Sequence, residues 1–201
     1  MALHFHRPIP NAINVPSLRA SLRDQWQRIR AGFGNGHPII DLAGLYHAEL
    51  YDLHSAEQQL CALVDEIWVT IRHEPLAQRV GEYATEVRSR VAELENLLSE
   101  VGASSRKHPD EAMQALVHET SKVAELCAEN VRDAALLAAL QRIIHYLVAD
   151  YGTLAAHAKV LGRLTEAARF AQHADRNQSV DVELSVLAKV TLNPQAAVPP
   201  S

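Results

Sequence analysis

The chain has few of the residues that mark specialised protein classes. Its 201 residues include two cysteines, Cys61 and Cys127, and 5 % aromatic residues. Two cysteines cannot form a disulfide framework, so the sequence predicts a reduced protein. No apolar run reaches the roughly 18 residues that a membrane-spanning helix requires, and the N-terminus lacks the charged-then-apolar pattern of a secretion signal. We therefore expect a cytoplasmic protein without a membrane partner.

The chain also lacks an excess of basic residues. It has 19 Lys and Arg against 24 Asp and Glu, and its formal net charge is −5. Non-specific nucleic-acid binding needs clustered positive charge, so we expect no nucleic-acid partner. We find no Gly-rich phosphate loop and no paired-cysteine metal motif. The 48 % of hydrophobic residues is normal for a globular domain and excludes a wholly disordered chain.

Strand-like alternation is missing too, and the sequence has a helical period instead. Apolar residues recur every three or four positions, which predicts four long helices and one short helix between the second and the third. Asp41 is predicted to cap the first helix or to lie in its first turn, and Glu74–Pro75 is predicted to open the second. A turn or kink at residues 130–133 is predicted before the third long helix. Gly162 is predicted to end that helix. Long helices joined by short turns pack as a bundle, so we expect an all-α four-helix bundle.

The two ends of the chain differ in composition from the bundle, which we expect over residues 39–190. Residues 1–38 combine several prolines with a short basic amphipathic helix that carries Trp26. Residues 191–201 are rich in proline and predict a flexible tail. The basic helix is interpreted as a solvated face packed on the main body, with a docking surface for an acidic partner protein as the alternative.

Two segments of the bundle carry a more specific pattern. Residues 45–60 read LYHAELYDLHSAEQQL. The third long helix adds Asp133–Leu136, His145–Tyr146 and Tyr151–Thr153. Together these segments resemble the YciE/YciF family of ferritin-like bacterial proteins that are associated with stress. The resemblance covers residues 39–190 and implies a ferritin-like four-helix bundle that associates through helix faces as a homodimer.

The resemblance also implies a place for two metal ions in the middle of the bundle, held by inward carboxylates and histidines. Iron and manganese prefer such oxygen and imidazole ligands. Glu57 stands at the family's glutamate on the first helix, and Glu86 stands at a family acidic position on the second. His54 takes the place of a family tyrosine, and Tyr83 takes the place of a family histidine. With His145 on the third long helix, these residues are the possible ligand or cavity residues.

Most of the family's metal ligands are nevertheless replaced in this chain. The family segment Glu-His-Tyr-Glu on the third long helix reads Ile-His-Tyr-Leu at residues 144–147. A di-metal centre needs about four carboxylates to balance two divalent ions, and this chain is short of them. Ile144 and Leu147 are expected to plug the core instead. If they face the bundle axis, the enzyme interpretation fails, and we expect neither a core metal nor another cofactor.

A buried Glu57 without a metal needs another partner, because burial disfavours a charged carboxylate. Arg90, at a family glutamine position, is the best candidate. Two interpretations stay open: a surface ion pair of Arg90 with Glu86 one turn away, or a core cation that substitutes for the metal charge. His54 is expected to hydrogen-bond Glu57, with a rebuilt ligand pair or an adventitious His47–His54–Glu57 metal stripe as alternatives.

Three functions follow from these alternatives, and whether the chain is an enzyme stays open. We expect a metal-poor member of the family with a stress-associated structural or interaction role. The first alternative is a di-iron or di-manganese protein for oxygen or peroxide chemistry or metal storage, with Glu57, Glu86 and His145 as ligands. The second is a small-molecule binder, which needs a hollow of more than about 300 Å³ lined by His54, Glu57 and Tyr83.

Overall fold

The fold is all-α over the residues that the structure describes. The computed structural model describes residues 39–100 and 109–198, and these ranges contain no β-strand. The helices are α1 (Leu42–Trp68), α2 (Glu74–Glu100), α3 (Glu111–Leu126), α4 (Glu129–Val160), α5 (Leu164–Leu187), a π-helical turn (Ala188–Leu192) and α6 (Asn193–Ala196). The prediction of four long helices with a shorter one between the second and the third is confirmed. Within these ranges, no helix combines the length and the apolar character needed to cross a membrane.

Local signals in the sequence explain where the first three helices begin. The Asp41 side chain accepts a hydrogen bond from the backbone N–H of Gly44 at 2.7 Å and caps α1 as predicted. Pro75 occupies the first turn of α2, where its missing N–H has no intrahelical partner to lose. Asp110 caps α3 through the N–H of Met113 at 2.9 Å.

The turn between α4 and α5 depends on a glycine. Gly162 has a φ of 75°, a left-handed conformation that glycine adopts without strain. The backbone N–H of Arg163 donates to the carbonyl of Ala158 at 2.8 Å, and that of Gly162 donates to Lys159 at 3.2 Å. These bonds close the end of α4, as predicted, and α5 turns back and packs along α4.

The start of α4 differs from the prediction. The turn or kink predicted at residues 130–133 is helical, and α4 begins at Glu129. The Asp133 carboxylate accepts hydrogen bonds from the backbone N–H groups of Arg72 and His73, at 3.1 and 2.7 Å. The Asp133 side chain therefore holds the loop between α1 and α2, and its own segment remains helical.

Helical structure also continues past the predicted end of the bundle. The π-helical turn Ala188–Leu192 follows α5, and α6 then runs to Ala196 with Pro194 near its start. The tail predicted from residue 191 is thus helical up to residue 196. The predicted N-terminal arm, residues 1–38, lies outside the described residues together with its basic helix.

The core is one apolar cluster to which all the longer helices contribute. Its largest fully buried aromatic side chains are Tyr46, Tyr83, Tyr151 and Phe170. Ile144 and Leu147 are fully buried in this cluster, at the positions expected for a core plug. Met113 and Thr120 of α3 are also buried, so the shorter helix packs onto the bundle along one face.

Candidate functional site

A charged pair lies within the otherwise apolar core. Glu57 on α1 is fully buried, and Arg90 on α2 is only 3 % exposed. Arg90 Nε donates to Glu57 Oε1 at 2.6 Å, and Arg90 Nη2 donates to Glu57 Oε2 at 3.0 Å. The pair is therefore bidentate, which is the arrangement in which a guanidinium recognises a carboxylate most specifically.

Three further polar side chains surround this pair. The Tyr151 hydroxyl donates to Glu57 Oε1 at 2.8 Å. The guanidinium carbon of Arg90 lies 5.1 Å from the centre of the Tyr83 ring, within the range of a cation–π contact. The Tyr83 hydroxyl donates to Asn177 Oδ1 at 2.7 Å. Glu57, Arg90, Tyr83, Tyr151 and Asn177 together form what we call the core polar cluster.

Burial and the ion pair set the protonation states of this cluster. Burial alone would lower the pKa of Arg90, but the Glu57 carboxylate outweighs it and raises that pKa above its ordinary value. Burial, followed by the Glu57 charge, raises the pKa of Tyr151 well above its ordinary value. Burial also raises the pKa of Tyr83, against the opposing charge of Arg90. Arg90 therefore stays charged and both phenols stay neutral donors at physiological pH.

The core polar cluster does not have the chemistry of a ferritin-like metal site. Such a site needs several carboxylates and imidazoles that face one another. Here the single carboxylate of Glu57 meets the guanidinium of Arg90, which has no lone pair to offer a metal ion. Across residues 39–100 and 109–198, no group of three or more His, Cys, Asp or Glu side chains is arranged to hold a metal ion. The residues present do not fit the two metal ions that the resemblance implies.

The structure separates the three residues proposed as surviving metal ligands. Glu57 lies in the core, whereas Glu86 accepts hydrogen bonds from Arg176 Nη2 at 2.6 Å and Nε at 2.9 Å on the exposed side of α5. Burial would raise the pKa of Glu86, but the contacts with Arg176 outweigh it and lower that pKa. The His145 side chain is 67 % exposed, and its Nε2 lies 3.3 Å from Asp181 Oδ2. The set Glu57, Glu86 and His145 is not brought together.

The two interpretations of Arg90 are decided in favour of the core cation, because Arg90 pairs with Glu57 and not with Glu86. His54 is buried as well, and its Nε2 lies 3.6 Å from Glu95 Oε1. That nitrogen has no hydrogen-bond partner among the described residues. The hydrogen bond to Glu57 that we expect from the sequence is therefore not made through it.

Two members of the core polar cluster are absent from the sequence-based prediction. Tyr151 belongs to the apolar stripe of its helix, and nothing in that stripe indicates its hydrogen bond to Glu57. Asn177 lies three residues from Ala174 and three from Val180, and both of these are buried. Its position in the helical period could therefore have identified it as a buried amide.

The described residues also line cavities elsewhere in the bundle, two of which bear on the predictions. One of about 130 Å³ lies between α1 and α4 and is lined by Asp150 among other polar residues. The other, of about 380 Å³, is a groove between α4 and α5 lined mainly by alanines. The hollow predicted for a small-molecule binder corresponds to neither, since His54, Glu57 and Tyr83 are buried in the packed core.

The fold and its core define a ferritin-like helical bundle. The model of the family described as "Domain of unknown function (DUF892)" matches residues 41–197. The match covers well over half of the chain, and the chain belongs to this family.

The relatives agree with this assignment. The chain is 32 % identical to protein YciF of Escherichia coli over 149 residues, which are 73 % of this chain and 90 % of YciF. The crystal structure of the E. coli stress protein YciF matches with a TM-score of 0.72 and 29 % identity, over 77 % of this chain and 99 % of that chain. YcfI of Rhodopseudomonas palustris matches in fold, with a TM-score of 0.69 and 23 % identity over 74 % of this chain and 96 % of that chain. The resemblance to the YciE/YciF family and the ferritin-like fold are confirmed.

Proposed function

We propose that the chain is a metal-independent member of its family with a structural or interaction role. The buried Glu57–Arg90 pair is the observation that carries this proposal. Arg90 puts a permanent positive charge beside the carboxylate that a ferritin-like centre would use as a ligand. A metal cation at this place would meet that charge in a medium that screens it poorly, which is unfavourable.

The core polar cluster supports a structural role because its contacts join all four long helices. Glu57 of α1 binds Arg90 of α2 and accepts from Tyr151 of α4, while Tyr83 of α2 binds Asn177 of α5. A fully paired polar group in an apolar core is satisfied in one packing arrangement only. The cluster therefore specifies the register of the bundle, whereas the apolar side chains provide most of its stability.

The family relationship supports the remaining parts of the proposal. YciF carries the description of a stress protein, and we extend a stress association to this chain. We expect it to act in the cytoplasm as a homodimer. Residues 1–38, with their basic amphipathic helix, are proposed as the segment that meets a protein partner.

Elemental analysis of the untagged protein, dialysed against a weak chelator, tests the metal part of the proposal. We expect no stoichiometric iron or manganese, because the core polar cluster offers one carboxylate that is already paired. About two iron or manganese ions per chain would contradict the proposal and restore the alternative of oxygen chemistry.

A variant with carboxylates added to the core gives a second test of the metal part of the proposal. Arg90→Gln combined with Ile144→Glu and Leu147→Glu removes the cation and adds two acidic side chains to the core. We expect Mn²⁺ to raise the melting temperature of this variant and not that of the unaltered protein. The matched control carries the same added charge at the exposed positions Ala138→Glu and Ala149→Glu, and Mn²⁺ should not stabilise it.

A further inference from the structure

A second group of polar side chains lies where α1, α4 and the start of α3 meet. Glu49 and Asp52 of α1 line the 130 Å³ cavity together with Tyr146 and Asp150 of α4. Asp110, the residue that caps α3, is close enough to act on the charge of Asp150. We call these five residues the acidic cluster.

The Tyr146 hydroxyl has one proton to donate. It donates to Asp110 Oδ2 at 2.6 Å, and Asp150, one turn further along α4, lines the same cavity. When this proton is directed to Asp110, Asp150 can bond the hydroxyl oxygen only by donating a proton of its own. A protonated Asp150 therefore completes a chain from Asp150 through Tyr146 to Asp110, whereas an ionised Asp150 faces an oxygen lone pair.

The surroundings of Asp150 favour its protonated form. Burial, followed by the negative charge of Asp110, raises the pKa of Asp150 from 3.8 to about 7. The nearby Tyr146 hydroxyl opposes this rise, and the charges of Asp52 and Glu49 add to it. Burial and the bond to Asp110 raise the pKa of Tyr146 as well, so its hydroxyl remains a donor.

Asp110 is also the residue through which the start of α3 is attached. Besides capping α3 with its side chain, it donates its backbone N–H to Ser55 Oγ at 2.9 Å. Its carbonyl accepts from Gln59 Nε2 at 3.0 Å. These bonds join α3 to α1, and the bond from Tyr146 joins it to α4. A change of charge beside Asp110 therefore acts directly on the attachment of α3.

We propose that the acidic cluster is a pH-sensitive latch, in which the proton on Asp150 determines how tightly the N-terminus of α3 is held against α1 and α4. At mildly acidic pH the chain from Asp150 through Tyr146 to Asp110 is complete. As the pH rises to neutrality, Asp150 ionises beside Asp110 and Asp52, and the repulsion weakens the attachment. Opening the start of α3 moves Asp110 away from Asp150 and lowers the pKa of Asp150 toward its ordinary value. The opening equilibrium therefore grows between about pH 4 and pH 7 and is constant above that range.

Hydrogen exchange of the full chain, with rates corrected for intrinsic exchange, tests the latch. We expect the amides of residues 113–117 to open at least about tenfold more at pH 7.5 than at pH 5.0. Asp150→Asn removes the charge but keeps a donor for Tyr146. In this variant the opening should be independent of pH, with the protection at pH 7.5 that the unaltered protein shows at pH 5.0.

Two variants separate the latch from other titrations. Asp175→Asn removes an exposed carboxylate from α5. His157→Gln removes a titratable group whose Nδ1 lies 2.8 Å from Glu49 Oε2. Both variants should keep the pH dependence of residues 113–117, and its loss in either would contradict the latch.

The latch is overturned if the unaltered protein shows no pH dependence at α3, or if Asp150→Asn shows the same dependence. Should Asp150→Asn fail to fold, ¹³C NMR titration of the Asp150 carboxyl in the unaltered protein decides the question. A midpoint near 7 supports the latch, and a midpoint near the ordinary value of about 3.9 overturns it.

Discussion

At the scale of single residues, Arg90 is a nearly fully buried cation in the core. Its guanidinium is desolvated and is compensated by the two hydrogen bonds to Glu57 and by the face of the Tyr83 ring. Replacing a buried pair as a whole by apolar residues is often neutral, but removing one partner leaves an unpaired charge. Removing Arg90 or Glu57 alone should therefore lower the stability of the fold more than removing both.

We expect Arg90→Met to lower the free energy of unfolding by about 3–5 kcal/mol, because Glu57 is left without a cation in the core. Urea unfolding at neutral pH measures this change. Arg88→Met is the matched control, since the Arg88 side chain is 51 % exposed and pairs with Asp65 at the surface. Its effect should stay below about 1 kcal/mol.

The same experiment has a second stage that identifies the source of the loss. Adding Glu57→Gln to Arg90→Met removes the unpaired charge and keeps an acceptor for Tyr151. The double variant should recover part of the stability lost in Arg90→Met, which a double-mutant cycle quantifies. A double variant that is less stable than the single one would show that the unpaired carboxylate is not the cause.

At the scale of helices, the pairing of α2 with α5 shows two kinds of polar contact. On the outer side, Arg176 binds Glu86, and Arg79 binds Glu183. The Arg79 side chain is 12 % exposed and that of Arg176 is 43 % exposed, and ion pairs that water can reach are weakened by salt. The inner contact between Tyr83 and Asn177 is buried and cannot be exchanged for water. We infer that this inner bond, more than the outer pairs, fixes how α5 lies against α2.

Two glycines, one inside α4 and one just after it, give a prediction that separates backbone strain from helix propensity. A methyl group added at Gly162 or at Gly152 meets no atom within 4 Å, but Gly162 has a φ of 75° whereas Gly152 is inside the helix. We expect Gly162→Ala to lower stability by about 1–2 kcal/mol, because the left-handed backbone is strained for alanine. Gly152→Ala should raise stability by about 0.5–1 kcal/mol, since alanine favours a helix interior. Thermal unfolding of the two variants checks both signs, and equal effects would contradict this account.

At the scale of the whole molecule, the family fold encloses a core that holds an ion pair. The bundle matches the YciF crystal structure with a TM-score of 0.72. Its core nevertheless contains an arginine, two aliphatic plugs and neutral phenols. A fold of this kind accommodates such a core because the helices are held by apolar burial, and the centre needs only to be filled and electrically balanced.

Global stability should depend on pH through Asp150. The folded chain keeps the Asp150 proton up to a pKa of about 7, whereas the unfolded chain releases it near the ordinary value of 3.8. The contribution of Asp150 to the free energy of unfolding is therefore full below about pH 4 and is lost as the pH rises to about 7. We expect Asp150→Asn to exceed the unaltered protein in stability at pH 7.5, with the difference shrinking toward pH 4.5. Urea midpoints across this range measure the difference, and one that does not change with pH would contradict the prediction.

The candidate site could be predicted from the sequence only in part. The helical period puts Glu57 on the core side of α1 and makes Ile144 and Leu147 part of an apolar stripe. The same period cannot choose between Glu57 and Glu86 as the partner of Arg90, because both carboxylates are within reach of a long flexible side chain. The helical period also cannot show that the Asp133 carboxylate accepts hydrogen bonds from a loop about 60 residues earlier in the chain.

The sequence by itself determines the helices of this protein, because a helix depends on residues within a few positions of one another. The cap at Asp41, the opening at Pro75 and the turn at Gly162 are local in this sense. The tertiary structure alone decides the chemistry of the core. Glu57 and Arg90 are 33 residues apart and meet only when α1 packs on α2. Whether a buried carboxylate faces a metal ion or a guanidinium is therefore settled by which side chains of the other helices reach it, and no local pattern contains that information.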